Sequence, residues 1–494
     1  MAIPGPGYSI TMRVAAPPSA SAAGDLTTAV GRAGGVLTGF DVVESTSALM
    51  VVDLSANALS ADHAGSISDS VNQLPGVTVR KVSDRTFLVH LGGKIEVTSK
   101  VPLRNRDDLS RAYTPGVARV CLAIAANPDD ARRLTIKRNT VAVVTDGTAV
   151  LGLGNIGPAA ALPVMEGKAA LFKKFAGVDA WPVCLDTTDT EEIIRTVQLL
   201  APVYGGINLE DIAAPRCFEI EARLRELLDI PVFHDDQHGT AIVVVAALRN
   251  ALRVVGKQIS DCRIVVSGVG AAGSAIIRLL LLQRPRDILA VDIDGIVHAG
   301  RAGMDPNLAD VGERTNSAGL TGTVHDAIAG ADVFIGVSAP NILTGADIEA
   351  MADRAVVFAL ANPDPEIDPL EAQQHAAVVA TGRSDFPNQI NNVLAFPGVF
   401  RGLLDAQARF ITDDMLLAAA AAIADVVAPE QLNASFIVPS VFDDRVAAAV
   451  ARAVVAASRT GGGEPATITD TVEIDAAGGV SAVGGVAVAD PVGV

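Results

Sequence analysis

The chain has 494 residues, half of them hydrophobic, with 45 glycines, a single tryptophan and a formal net charge of −18. That length gives room for two or three domains, each with its own core, and the hydrophobic content excludes a disordered chain. A surface this acidic, with Lys and Arg scattered along it, repels nucleic acid and anionic membranes, so an anionic substrate requires a local cationic or metal-charged pocket. The four cysteines, Cys121, Cys184, Cys217 and Cys262, form no C-x-x-C pair, which argues against a zinc site or disulfide framework. The first residues, Met-Ala-Ile-Pro-Gly-Pro-Gly, lack the basic start and apolar core of a signal peptide. The longest uncharged run, Gly147 to Met165, carries four Gly and two Pro and reads as loop and buried turn rather than membrane helix. The expectation is a cytoplasmic protein with no membrane and no nucleic-acid partner.

In chain order, strand patterns at Tyr8–Val14, Val36–Val43, Ala48–Leu54 and Val77–Leu91 (the last bent or split) alternate with helical patterns at Gly24–Ala33 and Ala61–Gln73. That β-α-β-β-α-β order is the ferredoxin-like pattern of small regulatory modules. The turn Gly31-Arg32-Ala33-Gly34-Gly35 resembles that of ACT domains, which implies a small-molecule effector; a structural or dimerising cap is the competing reading.

From about Lys94 to Asn250 runs a mixed helical region with two carboxylate pairs, Glu210-Asp211 and Asp235-Asp236, each at the edge of an apolar run. Adjacent acids at the ends of buried elements repel one another and lose water, so they are costly unless a cation neutralises them. A hard divalent ion held by carboxylate oxygens, Mg2+ or Mn2+, is the simplest remedy. Two solvated turns with ordinary surface acids would be the plainer explanation of either pair alone. His234 and His238 lie four apart, but Pro231 and Gly239 argue against one continuous helix there and against a zinc pair.

The strand Arg263-Ile-Val-Val-Ser runs directly into Gly268-Val269-Gly270-Ala271-Ala272-Gly273 and then a helix, Ser274–Leu282. Gly268 permits the tight turn, Gly270 lets backbone approach a pyrophosphate, and Gly273 allows close helix packing, with the helix N-terminus facing the phosphates. Asp292, ending the next strand, lies at the offset of a ribose-binding carboxylate, and Ile293 and Asp294 offer no cation in its place. NAD is therefore favoured over NADP, with Arg301 the cation that can still reach the pocket. Strands and helices alternate to about Gly382, as a doubly wound parallel sheet requires. Asp413–Ser458 is Ala-rich and helical, with Leu416–Val427 a core helix, and the Gly-, Ala- and Val-rich residues 459–494 read as a flexible tail.

Further strings complete the pattern: Arg111-Ala-Tyr113-Thr-Pro-Gly116, Thr145-Asp146-Gly147, Leu151-Gly-Leu-Gly-Asn155-Ile-Gly, Pro163-Val-Met-Glu-Gly-Lys168, and His234-Asp235-Asp236-Gln237-His238-Gly-Thr. Together, from about Pro102 to Arg401, these closely resemble the malic enzymes, in particular the smaller bacterial type. The resemblance implies Tyr113 as general acid and Lys168 as general base. It implies Glu210, Asp211 and Asp236 as metal ligands, Asp235 as their neighbouring acid, and Asn362 and Asn392 near malate and nicotinamide. Larger members carry an Arg just after the T-D-G string, where this chain reads Thr148-Ala149; Asn362, Asn392 and backbone amides are candidates to hold the malate C4 carboxylate.

The implied reaction is oxidative decarboxylation of malate to pyruvate with NAD and Mg2+ or Mn2+. In it, a lysine whose pKa is depressed by a nearby cation and burial removes the hydroxyl proton, and a phenol protonates C3. The expected organisation is an ACT-like module over 1–92, a substrate and metal domain over 93–250, a Rossmann-type NAD domain with C-terminal helices over 251–458, and the tail. The expected assembly is a homodimer or a higher homo-oligomer. Two alternatives stand beside this: a malolactic enzyme that retains NAD and releases lactate, and a catalytically silent metabolite sensor.

Overall fold

The computed structural model describes residues 4–460, 472–474 and 480–482, so the expected tail over 459–494 falls almost wholly outside the described residues. The chain divides into two compact units, Met1–Thr98 and Ser99–Val494.

In the first unit the elements are β1 (Gly5–Ala16), α1 (Ala22–Arg32), β2 (Val36–Ser45), β3 (Met50–Ala58), α2 (Ala61–Asn72), β4 (Thr78–Asp84) and α3 (Arg85–His90). The strands form one antiparallel sheet in the order β2-β3-β1-β4. Side chains alternate across a strand, so Ile10, Met12 and Val14 of β1, with Leu54 and Ala56 of β3, face Leu26, Val30, Ile67 and Val71 of the two helices. The predicted strand Val77–Leu91 is corrected: it stops at Asp84, whose carboxylate accepts from the N–H groups of Thr86 and Phe87 and so starts α3.

The second unit begins with three short helices, α4 (Arg106–Ala112), α5 (Val117–Ala126) and α6 (Ala131–Leu134). There follow β5 (Thr140–Thr145), α7 (Pro158–Ala176), β6 (Asp179–Cys184), α8 (Thr190–Leu200), β7 (Gly206–Leu209), α9 (Arg216–Leu227) and β8 (Val232–His234). The four strands form a parallel sheet in the order β6-β5-β7-β8. The uncharged run after Gly147 is loop only as far as Gly157, another correction: Pro158 opens α7 at a position where a proline's missing N–H costs nothing.

Asp235–Gly239 forms a π-helical turn that leads without a break into α10 (Thr240–Val255). The expectation that Gly239 interrupts a helix here is overturned. This glycine is what the wide turn needs, because a Cβ on it would overlap Asp235 Oδ1. The helix from Asp235 to Val255 is long and apolar enough to cross a membrane, yet 78% of its most apolar stretch is buried within the fold.

The remainder comprises β9 (Arg263–Ser267), α11 (Ala271–Leu282), β10 (Asp287–Asp292), β11 (Gly295–Ile296), α12 (Pro306–Arg314), α13 (Val324–Ile328), β12 (Val333–Gly336), α14 (Gly345–Glu349), β13 (Val356–Ala359), α15 (Pro369–Ala372) and β14 (Val378–Thr381). The six strands lie in the order β11-β10-β9-β12-β13-β14, all parallel except the β11 edge. Order reverses at β9, the switch point where doubly wound sheets take ligands. The closing helices are α16 (Phe396–Asp405), α17 (Asp413–Val426) and α18 (Arg445–Thr460), followed by a small hairpin of β15 (Val472–Ile474) and β16 (Val480–Ala482). One continuous core joins α7, α10, α11, α16 and α17, with Phe172, Phe233, Phe396 and Phe400 stacked edge to face at its centre.

Candidate active site

The register of β7 on β8 pairs Leu209 with His234. The next residues along each strand are Glu210 and Asp235, then Asp211 and Asp236, so two carboxylate pairs far apart in sequence meet at the carboxyl edge of one parallel sheet. One oxygen each of Glu210, Asp211 and Asp236 falls within 4.8 Å of the others. The Asp211 N–H donates to Asp236 Oδ2 at 2.8 Å, and Asn208, on β7, donates to Glu210 Oε2 at 2.8 Å. Asp211 takes a left-handed φ of 53°, a strained setting for a non-glycine residue of the kind found at functional sites.

This cluster fits a hard divalent cation. Asp211 Oδ2 is buried with no hydrogen-bond partner, and the donor set is three carboxylates with neither sulfur nor imidazole. Burial, together with repulsion from Asp236 and Glu210, pushes the Asp211 carboxyl well above its usual range; burial and Asp235 do the same to Asp236. Protein groups alone therefore leave this triad short of positive charge.

Lys168 reaches the cluster from the middle of α7. Its Nζ lies 2.5 Å from Asp235 Oδ2 and 2.9 Å from Glu210 Oε1, and 4.2 Å above the Phe396 ring. Burial works to lower its pKa, but attraction to Asp235 and Glu210 outweighs burial and raises it. The expected depression is thus reversed in the protein alone. Asp235 is driven up to about 7, chiefly by burial, with Lys168 opposing. Asp235 stands outside the triad, bonded to Lys168 and to the side-chain amide of Asn392. The Asn392 amide thus helps to position Asp235.

The histidines are not a metal pair. His238 Nε2 lies 2.6 Å from Glu221 Oε1, whereas His234 is fully buried with no hydrogen bond to either ring nitrogen, its Nε2 3.9 Å from Asp236 Oδ2, and burial pushes it down to about 4. Beside them, Thr148 and Arg216 both donate to the Asp146 carboxylate, and Arg216 also reaches Thr148 Oγ1 at 3.2 Å. A guanidinium thus does reach the T-D-G loop, supplied by α9, and it is pinned there as a strut.

Tyr113 is a surface residue, unlike the buried side chains of this cluster. It ends α4 with 71% of its surface exposed. From Ser99 through Asp130 no side chain is buried, although Val101, Leu103, Leu109, Val120 and Leu122 are apolar. Asn362 is exposed, and its carbonyl faces the glycine loop after β5, where a Cβ on Gly152 would come within 3.0 Å of it.

At the dinucleotide motif the three glycines are built as a cradle. A Cβ on Gly268 would sit 2.5 Å from the Val337 carbonyl oxygen, one on Gly273 would overlap the Gly268 carbonyl, and Gly270 faces open space. Asp292 lies beside this turn, since β10 runs next to β9 and Gly268 N–H donates to the Val291 carbonyl at 2.8 Å. These features fit NAD. Sequence reasoning missed Asn208, Glu221, Arg216 and Phe396; of these only Asn208, two residues before Glu210 on the same strand face, carried a local signal.

Residues 92–225 match the family "Malic enzyme, N-terminal domain" and residues 237–459 match "Malic enzyme, NAD binding domain". The chain is 56% identical over 463 residues to the NAD-dependent malic enzyme of Geobacillus stearothermophilus, covering 93% of this chain and 97% of that one, a span too long to leave out the N-terminal unit. It is 56% identical over 372 residues to the bifunctional malic/malolactic enzyme of Bacillus subtilis, covering 75% of this chain and 91% of that one. The NAD-dependent malic enzyme structure from Thermotoga maritima superposes with a TM-score of 0.73 at 48% identity, covering 76% of this chain and 99% of that one. The chain belongs to the malic enzyme family.

Proposed function

We propose that this chain oxidatively decarboxylates (S)-malate to pyruvate and CO2 with NAD, using Mg2+ or Mn2+ held by Glu210, Asp211 and Asp236. The observation that carries the reading is the meeting of this carboxylate triad with a buried lysine at the carboxyl edge of β7 and β8. Bound there, the cation would supply acidification of the malate hydroxyl and stabilisation of negative charge on the adjacent oxygen, and NAD would supply the hydride acceptor. Lys168 takes the hydroxyl proton. Its position is set by Asp235, which Asn392 holds in turn, and by the Phe396 ring beneath it. Neutralising Glu210 removes one of the two charges that keep Lys168 protonated, which opens the base role. The phenol of Tyr113, still protonated at neutral pH, delivers a proton to C3.

A homodimer is part of the proposal. The exposed apolar side chains of Val101, Leu103, Leu109, Val120 and Leu122, in a stretch that also carries charged residues, support it, because a second copy packed there would cover them and change the surroundings of Tyr113. The N-terminal unit is proposed as an ACT-like effector module, on the strength of its β-α-β-β-α-β order.

The experiment is absorbance at the NADH band with malate, comparing NAD+ with NADP+ and Mn2+ with chelator, with pyruvate assayed alongside. Metal-dependent NADH matched by pyruvate is expected. Lactate without NADH would move the chain to the malolactic reaction named for the Bacillus subtilis relative, and silence in both would favour the sensor reading.

A further inference from the structure

The ribose end of the NAD site contains a pairing that the glycine motif does not include. Asp292 and Gly295 pair across a tight hairpin whose tip, Ile293, is fully exposed, so the Asp292 carboxylate is fixed at the lip of the glycine turn. Gly295 has a φ of 105°, and a Cβ there would overlap the Gly322 carbonyl, so this turn admits little variation. The Asp294 N–H donates to Asp292 Oδ1 at 2.9 Å.

Arg301 then engages both carboxylate oxygens at once. Its Nη1 donates to Asp292 Oδ1 at 2.8 Å, its Nη2 donates to Oδ2, and Nη1 also lies 3.5 Å from the Gly295 carbonyl. Both side chains are mostly covered, 15% exposed for Arg301 and 17% for Asp292. Such a fork-on-fork pair is short, directional and retained better than a surface ion pair.

An aspartate alone at this position accepts from ribose hydroxyls and repels a 2′-phosphate. An aspartate with a guanidinium across both oxygens is neutral as a pair, which leaves the exposed Asp294 as the adjacent acid, and the guanidinium keeps further N–H donors of the type that binds phosphate. We infer that Arg301 is a specificity-determining residue: it cancels the charge by which Asp292 would reject a 2′-phosphate, so this site takes NADP as well as NAD. The inference rests on the reading of Asp292 as the ribose-binding acid.

The test compares the wild-type enzyme with Arg301→Gln, Arg301→Lys and Asp292→Asn. Calorimetric binding of 2′,5′-ADP and of 5′-AMP would be measured beside kcat/KM for NADP and NAD. Wild type should bind 2′,5′-ADP measurably. Arg301→Gln should weaken 2′,5′-ADP by about tenfold or more, the scale of one charge-assisted contact, while 5′-AMP weakens by a smaller factor, and Arg301→Lys should recover part of the loss. The kinetic change should fall mainly on KM for NADP. Asp292→Asn should shift the ratio toward NADP.

Equal losses for both ligands in Arg301→Gln would make Arg301 a structural clamp and overturn the inference, as would no detectable 2′,5′-ADP binding by wild type. If Asp292→Asn leaves the ratio unchanged, the ribose assignment itself fails. A shifted ratio in Asp292→Asn with none in Arg301→Gln removes Arg301 alone.

Discussion

Lys168 and Asp235 form a buried ion pair at the centre of the site: Nζ and Oδ2 are 2.5 Å apart, with both side chains out of water and Glu210 as the second acceptor. One cation therefore faces four carboxylates, Glu210, Asp211, Asp235 and Asp236, and the electrostatics of the site follow from that imbalance.

Asp235→Asn keeps the volume and removes one of the two charges holding the lysine proton. The acidic limb of the kcat profile should move to lower pH, because Lys168 gives up its proton more readily. Breaking a buried pair should also cost up to about 3 kcal/mol, read by denaturant unfolding. An unmoved acidic limb would show that Lys168 is not the group whose deprotonation limits turnover.

Lys168→Ala and Tyr113→Phe should each lower kcat by at least about a hundredfold while NAD binding, followed by calorimetry, persists. Near-normal rates in either would overturn the assigned roles. The two residues differ sharply in exposure, 7% against 71%. Mixed oligomers of the two inactive variants should therefore regain activity if Tyr113 acts across a subunit contact, and stay inactive if it acts within its own chain.

Gly239→Ala should reduce both stability and turnover, since the added methyl group would overlap Asp235 Oδ1 and lie 3.2 Å from the Asn392 Cβ. Overpacking of this kind costs about 1–3 kcal/mol. Wild-type melting and wild-type kcat in this variant would show that the π turn has room the structure does not display.

Metal removal should destabilise the enzyme more at pH 8 than at pH 6. The carboxyls of Asp211 and Asp235 are raised from an ordinary 3.8, Asp235 to about 7, so the folded protein holds protons that the unfolded chain releases. A raised pKa contributes stability that is full below the unfolded value and is lost as pH rises through the folded one. Added Mn2+ compensates for that loss, and a hundredfold excess over Kd is worth about 2.7 kcal/mol. The increment in Tm between Mn2+ and chelator should grow over this interval; an increment that shrinks with pH would argue against a carboxylate triad as the binding site.

Much of this was legible in local sequence, for identifiable reasons. The glycine motif requires specific backbone freedom at Gly268 and Gly273, and these constraints are written residue by residue. Alternation in β1 and β3 of the N-terminal unit, and the apolar composition of α17, likewise follow from which faces must be buried. The second half of Val77–Leu91 was misread because its apolar residues carry no strict period, and the Asp84 cap decided the matter.

Sequence by itself determined which residues had to be neutralised: two acid pairs at the ends of apolar strands, a lysine inside an apolar helix, and a glycine turn shaped for phosphate. Tertiary structure decided who meets whom. The register Leu209 to His234 set Glu210 beside Asp235, the packing of α16 near α7 placed the Phe396 ring against Lys168, and the hairpin at Asp292 brought Arg301 onto its carboxylate. Such pairings depend on strand register and helix docking, which arise from the whole core at once, so no window of sequence around either partner contains them.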